Sequence, residues 1–164
     1  MLTSAQMIQE ITQWCDEFPV LSVEDPLDED DWDGWVQITA QLGERIELVG
    51  DDLFVTQIAR LKKGIQTAAA NSVLVKVNQN GLLSGAFETF TAARSAGYRT
   101  VVSARSGDTE DTWLADLAVG WGAEQIKVGS THRSERNAKW NRLLELEATE
   151  ATSFAGPWKV PADG

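Results

Sequence analysis

Short apolar runs and longer stretches with helical spacing take turns along this chain. The runs Val20-Leu21-Ser22-Val23, Ile46-Glu47-Leu48-Val49, Val73-Leu74-Val75, Thr100-Val101-Val102 and Gln125-Ile126-Lys127-Val128 are rich in β-branched residues. Their length and composition predict buried strands, over 20–24, 46–50, 73–79, 100–103 and 124–128. Ahead of them, Thr3-Ser4-Ala5-Gln6 has the form of a capping box. Met7, Ile8, Ile11, Trp14 and Cys15 follow at helical spacing, which predicts an amphipathic helix over 4–16. Further helices are predicted over 31–42, 56–69, 83–96, 112–121 and 133–149. In these, Trp32, Trp35 and Ile38 share one side, as do Ile58, Leu61 and Ile65, while Trp140, Leu143, Leu144 and Leu146 serve the last. One helix followed by five strand–helix units implies a parallel sheet with right-handed crossovers.

Five parallel strands build either an open doubly wound sheet or part of an eight-stranded barrel. The charged positions favour the barrel. Glu24 ends the first run, Asp51 and Asp52 follow the second, Lys76 stands at the end of the third, Arg105 and Ser106 follow the fourth, and Lys127 lies in the fifth. They recur about every 25 residues, the length of one strand–helix unit, and barrel sites collect at the C-terminal strand ends. The expected fold is therefore α/β, a partial TIM (β/α)8 barrel of about five parallel strands alternating with helices. Residues 1–152 form it, and 153–164 are expected to be an irregular C-terminal tail packing through Trp158. Phosphate-loop and dinucleotide fingerprints are absent.

Composition narrows the function. A net charge of −11 over 164 residues leaves no basic stripe for a nucleic-acid backbone and disfavours anionic membranes. With one cysteine there is no internal disulfide, and Cys15 is expected to be a buried structural thiol. His132, the only histidine, lacks the companions a zinc site needs and is expected in a loop. The acidic stretch Asp28 to Asp31 lacks the alternating ligands and central glycine of a calcium loop, so it is expected to be a solvated helix start. No apolar stretch reaches about 18 residues and no signal-like N-terminus is seen, so a cytoplasmic protein without a transmembrane segment is expected.

The strand-end residues suggest chemistry. A lysine at the end of a buried strand is costly unless anions surround it. Glu24 and Asp51, from adjacent strands, repel unless a divalent cation lies between them, and hard oxygen ligands suit Mg²⁺. Lys76 is then placed to act as a base, with Lys127 as a cationic neighbour. Arg105 and Ser106 can hold a phosphate or carboxylate. The set suits removal of a proton next to a carboxylate. The plainer alternative makes Lys76 a satisfied ion-pair partner, and Asp25 and Asp52 turn or cap residues.

Longer motifs sharpen this. Ser22-Val23-Glu24-Asp25-Pro26, Val49-Gly50-Asp51-Asp52-Leu53-Phe54-Val55-Thr56, Lys76-Val77-Asn78-Gln79, Ser103 to Thr112, Ile126-Lys127 and Arg133-Ser134-Glu135-Arg136-Asn137-Ala138-Lys139 together resemble consecutive signatures of the enolase (phosphopyruvate hydratase) family, in family order. The resemblance implies Mg²⁺-dependent dehydration of 2-phosphoglycerate to phosphoenolpyruvate, a step of glycolysis. Glu24 and Asp51 match magnesium ligands, and Lys76 matches the base that takes the C2 proton. Arg105 and Ser106 match phosphate contacts, and Lys127 matches the lysine on the substrate carboxylate.

The family has an N-terminal α+β domain and a full eight-stranded barrel, of which this chain resembles the last five strands. A third metal-ligand aspartate, the general-acid glutamate and the mobile loops belong to the remainder. The family motif Ser-His-Arg-Ser-Gly-Glu has Ala104 at its histidine and Asp108 at its glutamate here, and Gln-Ile-Gly becomes Gln79-Asn80-Gly81. Alanine can neither donate a hydrogen bond nor move a proton. These residues are expected to be inactive without the missing half, which a second chain would supply; a homo-oligomer is the other partner state expected. The alternative is a non-catalytic enolase-derived binding or assembly module, or a gene remnant, with uncovered strand edges that favour association.

Overall fold

The computed structural model describes residues 2–149, 152 and 154. Of the tail expected over 153–164, only Phe154 is among them. It is irregular and 83% exposed, while Trp158 lies outside the described residues. Five strands alternate with helices in chain order, the pattern of a partial (β/α)8 barrel. The chain divides into two compact units, one ending at Arg99 and the other beginning at Thr100.

The first unit opens with α1 (Ser4–Glu17), whose predicted capping box is present: Gln6 N–H donates to the Thr3 hydroxyl and the Gln6 side chain accepts from Thr3 N–H. Its apolar stripe is narrower than the spacing predicts. Ile8 and Ile11 are buried, but Trp14 is 44% exposed, its indole N–H donating to Glu10. Cys15 is half-buried rather than buried, and burial chiefly pushes its thiol pKa up. After β1 (Ser22–Glu24), the acidic stretch is indeed a helix start. Asp31 caps α2 (Trp32–Leu42) by accepting from Gly34 N–H at 3.0 Å.

β1 pairs parallel with β2 (Glu47–Gly50), matching Glu24 to Val49, and β2 pairs parallel with β3 (Ser72–Val75), matching Gly50 to Val73. Asn71 ties the entry to this sheet. Its amide accepts from Leu48 N–H at 2.7 Å and donates to the carbonyls of Gly43 and Ile46. The core holds Trp35, Ile38, Leu42, Leu48, Leu53, Phe54, Leu61, Val73, Leu74 and Val75, all fully buried. Each such side chain stabilises the fold by about 1.5–3 kcal/mol over its exposed state.

Several boundaries differ from the pattern, β1 starting at Ser22 rather than 20 among them, and two bear on the site. The third strand stops at Val75, and residues Val77–Asn80 form a single helical turn, α4, with Lys76 at its start and Gly81 closing it at φ 85°. The ladder ends there because Lys76 N–H turns to the Thr56 hydroxyl at 2.9 Å, and Gln79 N–H returns to the Lys76 carbonyl. α3 (Ile58–Thr67) begins later than 56 because Val55 and Thr56 lie in the left-handed region, at φ 42° and 53°, which no helix continues through. α5 (Leu83–Ser95) completes this unit.

In the second unit, β4 (Arg99–Ser103), entered from Arg99, pairs parallel with β5 (Gln125–Lys127), matching Ser103 to Lys127. Between them runs α6 (Trp113–Trp121), ended by Gly122 at φ 67°, a conformation that favours glycine. α7 (Ser134–Thr149) follows and meets α6 through Arg142, whose Nε and Nη2 donate three hydrogen bonds to the Asp116 carboxylate. His132 lies in an exposed loop. No helix among the described residues is long and apolar enough to cross a membrane.

Candidate active site

Because β1, β2 and β3 run parallel, their C-terminal ends share one rim of the first unit. Glu24 is the last residue of β1, Asp51 follows β2 and Lys76 follows β3. Asp51 and Lys76 are brought into contact. The Lys76 ammonium donates to Asp51 Oδ2, with the two side chains 12% and 10% exposed. Gln79 donates to the other Asp51 oxygen at 3.3 Å.

Two residues beside this pair set its shape. Asp25, at φ 44°, turns its carboxylate onto the N–H groups of Asp51 and Asp52, both at 2.8 Å. That is the turn role expected of it, and it fixes the backbone from which Asp51 projects. Burial, foremost, and the nearby charges of Asp51 and Asp52 raise the Asp25 pKa, against the two backbone donors. Thr56 is fully buried. Its hydroxyl accepts from Lys76 N–H and donates to Gln79 Oε1 at 2.9 Å, while its carbonyl accepts from the Asn80 amide at 2.9 Å. Spacing alone does not reveal Thr56, because its role depends on a left-handed backbone that a β-branched residue rarely adopts.

The donor chemistry fits a hard divalent cation. Asp25, Asp51 and Asp52 each offer a carboxylate oxygen, and these lie within 4.8 Å of one another. Glu24 is exposed at the end of β1 and stands outside that trio. Asp51 thus serves both as the partner of Lys76 and as a member of that trio, so a cation would compete with the ammonium for its carboxylate.

In the second unit, Arg105 and Ser106 lie exposed on the loop after β4, and Lys127 is exposed at the end of β5. The two strand ends are joined where Ala104 N–H donates to the Lys127 carbonyl at 2.9 Å. Asp108 closes the loop on itself. Its carboxylate accepts from Arg105 N–H and its own N–H donates to the Arg105 carbonyl, both at 3.3 Å. From α7, Arg136 donates to the carbonyls of Val128 and Ser106, and Lys139 to those of Thr109 and Glu135. Both belong to a motif legible in the sequence, but their partners are not.

A family model described as the enolase C-terminal TIM barrel domain matches residues 1–160 of this chain. An enolase of Mycobacteroides abscessus is 53% identical over 161 residues, covering 97% of this chain and 37% of that protein. The chain thus spans just over a third of the length of the curated relative it matches.

Proposed function

The chain belongs to the enolase family, and from that premise we propose that it carries part of the site for Mg²⁺-dependent dehydration of 2-phosphoglycerate to phosphoenolpyruvate, acting in glycolysis in the cytoplasm. Lys76 takes the proton from C2, and the electron pair moves toward the substrate carboxylate, which Lys127 contacts. Arg105 and Ser106 hold the phosphate. The C3 hydroxyl leaves with a proton supplied by the family's glutamate, which is not among these residues. Asp51 and Glu24 would hold Mg²⁺, which when bound offsets the negative charge that builds on the carboxylate. To serve as base, Lys76 must let go of Asp51, and a cation on that carboxylate would favour the release by offsetting its negative charge. The observation that carries this proposal is the Lys76–Asp51 pair at two neighbouring strand ends.

Turnover is expected only when the remainder of an enolase, a separate chain, is supplied. A second proposal rests on Ala104, which stands where the family motif has histidine: a non-catalytic enolase-derived binding or assembly module. Titration of the chain with Mg²⁺ and 2-phosphoglycerate, with and without the remainder, separates the two. Mg²⁺-dependent binding plus turnover in the completed form supports the dehydratase. Binding to the remainder with neither ligand binding nor turnover refutes it and leaves the module.

A further inference from the structure

The guanidinium of Arg136 sits between two places that matter to anion binding. Nη1 donates to the carbonyl of Val128, the residue after Lys127, and Nη2 donates to the carbonyl of Ser106 at 3.3 Å. One planar group thus grips both the loop bearing Arg105 and Ser106 and the strand end bearing Lys127. The fork suits guanidinium, whose donors are held rigidly in one plane. Space for it is cut from the backbone. Gly129 takes φ 104°, and a Cβ there would stand 3.1 Å from Nη1 and 3.3 Å from Cζ. One turn on, Lys139 is 1% exposed, and its ammonium donates to Thr109 and Glu135 carbonyls. Burying an ammonium against carbonyls is costly unless its bonds are kept, so the far end of the same loop is pinned as well.

We infer that Arg136, seconded by Lys139, is a positioning residue that fixes the Arg105–Ser106 loop against the Lys127 strand end and so sets the spacing of a site for a phosphate-bearing carboxylate. The inference rests on the proposed role of Arg105 and Ser106 as phosphate contacts. Neither Arg136 nor Lys139 is assigned contact with substrate. Arg136 acts through two backbone carbonyls, so its loss changes where donors stand rather than how many there are.

The test uses the full 164-residue chain with inorganic phosphate as probe, followed by calorimetric titration, melting temperature and amide hydrogen exchange across residues 105–109. Arg136→Lys keeps the charge but loses the rigid planar fork whose two nitrogens reach the Val128 and Ser106 carbonyls. It is expected to weaken phosphate binding by about fivefold to tenfold, the scale of a misplaced contact, and to speed exchange across the loop, with little change in melting temperature. Should that variant fail to fold, Gly129→Ala, which pushes on the guanidinium while leaving Arg136 in place, is expected to weaken phosphate binding and speed loop exchange likewise, with a lower melting temperature from the strain of alanine at φ 104°. Arg105→Ala reports on the underlying assignment. If Arg105→Ala weakens phosphate binding and Arg136→Lys leaves it unchanged, the positioning role is overturned and the phosphate assignment stands. If Arg105→Ala has no effect, the phosphate assignment falls and the positioning role with it.

Discussion

Replacing Thr56 by valine removes one hydroxyl and little volume, yet it strikes the junction between β3 and α4. Threonine and valine are both β-branched, so the cost of the left-handed backbone at φ 53° is nearly common to both and cancels. What remains is hydrogen bonding. The Lys76 N–H loses its acceptor at 2.9 Å, and Gln79 Oε1 loses its donor at 2.9 Å. The half-buried Gln79 side chain can turn toward water, so most of the penalty falls on Lys76. A buried donor left without a partner costs about 1–3 kcal/mol, and about 2 kcal/mol is expected here. Urea unfolding followed by tryptophan fluorescence would show this as a midpoint lowered by about 1 M, for a slope of about 2 kcal/mol per molar. Thr56→Ser keeps the hydroxyl and gives up a buried methyl, costing about 1 kcal/mol. The expected order of stability is therefore threonine, serine, valine. A valine variant as stable as the serine one would refute the hydrogen-bond account and assign the role of Thr56 to packing.

Lys76→Met should destabilise the chain by about 3–5 kcal/mol, because it leaves Asp51 buried without its ion-pair partner. Added Mg²⁺ should raise its melting temperature more than that of the parent, and an equal or smaller rise contradicts competition for Asp51. Asp116→Asn should lower the melting temperature at neutral pH. The Arg142 hydrogen bonds hold the Asp116 pKa below its ordinary 3.8, so their contribution is present above that value and is lost as pH falls through the depressed one. Calorimetry over a pH series should show the difference closing in acid, and a gap that widens there contradicts it. Tyr98, the only tyrosine, is pushed by burial to about 12. Its ultraviolet titration should have its midpoint there, and stability should fall as pH rises from about 10, the unfolded value, through about 12. A midpoint near the unfolded value would place the ring in water. Tyr98→Phe should abolish the titration and cost about 1 kcal/mol, through the bond its hydroxyl donates to the Ala69 carbonyl at 2.8 Å.

How far the sequence could be read depended on whether a feature was periodic. β3 announces itself through the apolar run Val73-Leu74-Val75, as a strand buried on both faces does, and β2 through Leu48-Val49 despite the buried Glu47. α1 is marked by its capping box and α6 by the glycine after it. The third strand was overextended because Val77 looks like a continuation of Val73-Leu74-Val75. What stops the strand is a hydroxyl from Thr56, twenty positions earlier, and no local pattern carries that. The strand-end charges were legible as a series, and Lys76 with Asp51 meets in space as their positions suggest. The supporting residues were not. Thr56 works through a left-handed backbone that a β-branched residue seldom adopts, Asp25 through a positive φ that no run of letters marks, and Arg136 through carbonyls, which have no letter in a sequence.

The hook that Asp25 throws over the next strand has a mechanical side. β1 is paired to β2 along one side, and the carboxylate just beyond its end clasps the two amides from which Asp51 and Asp52 hang. A shift of the first strand's end would therefore act directly on the amides at the second strand's tip. Asp51 is thus steered from a neighbouring strand as well as from its own, as a tiller turns a rudder.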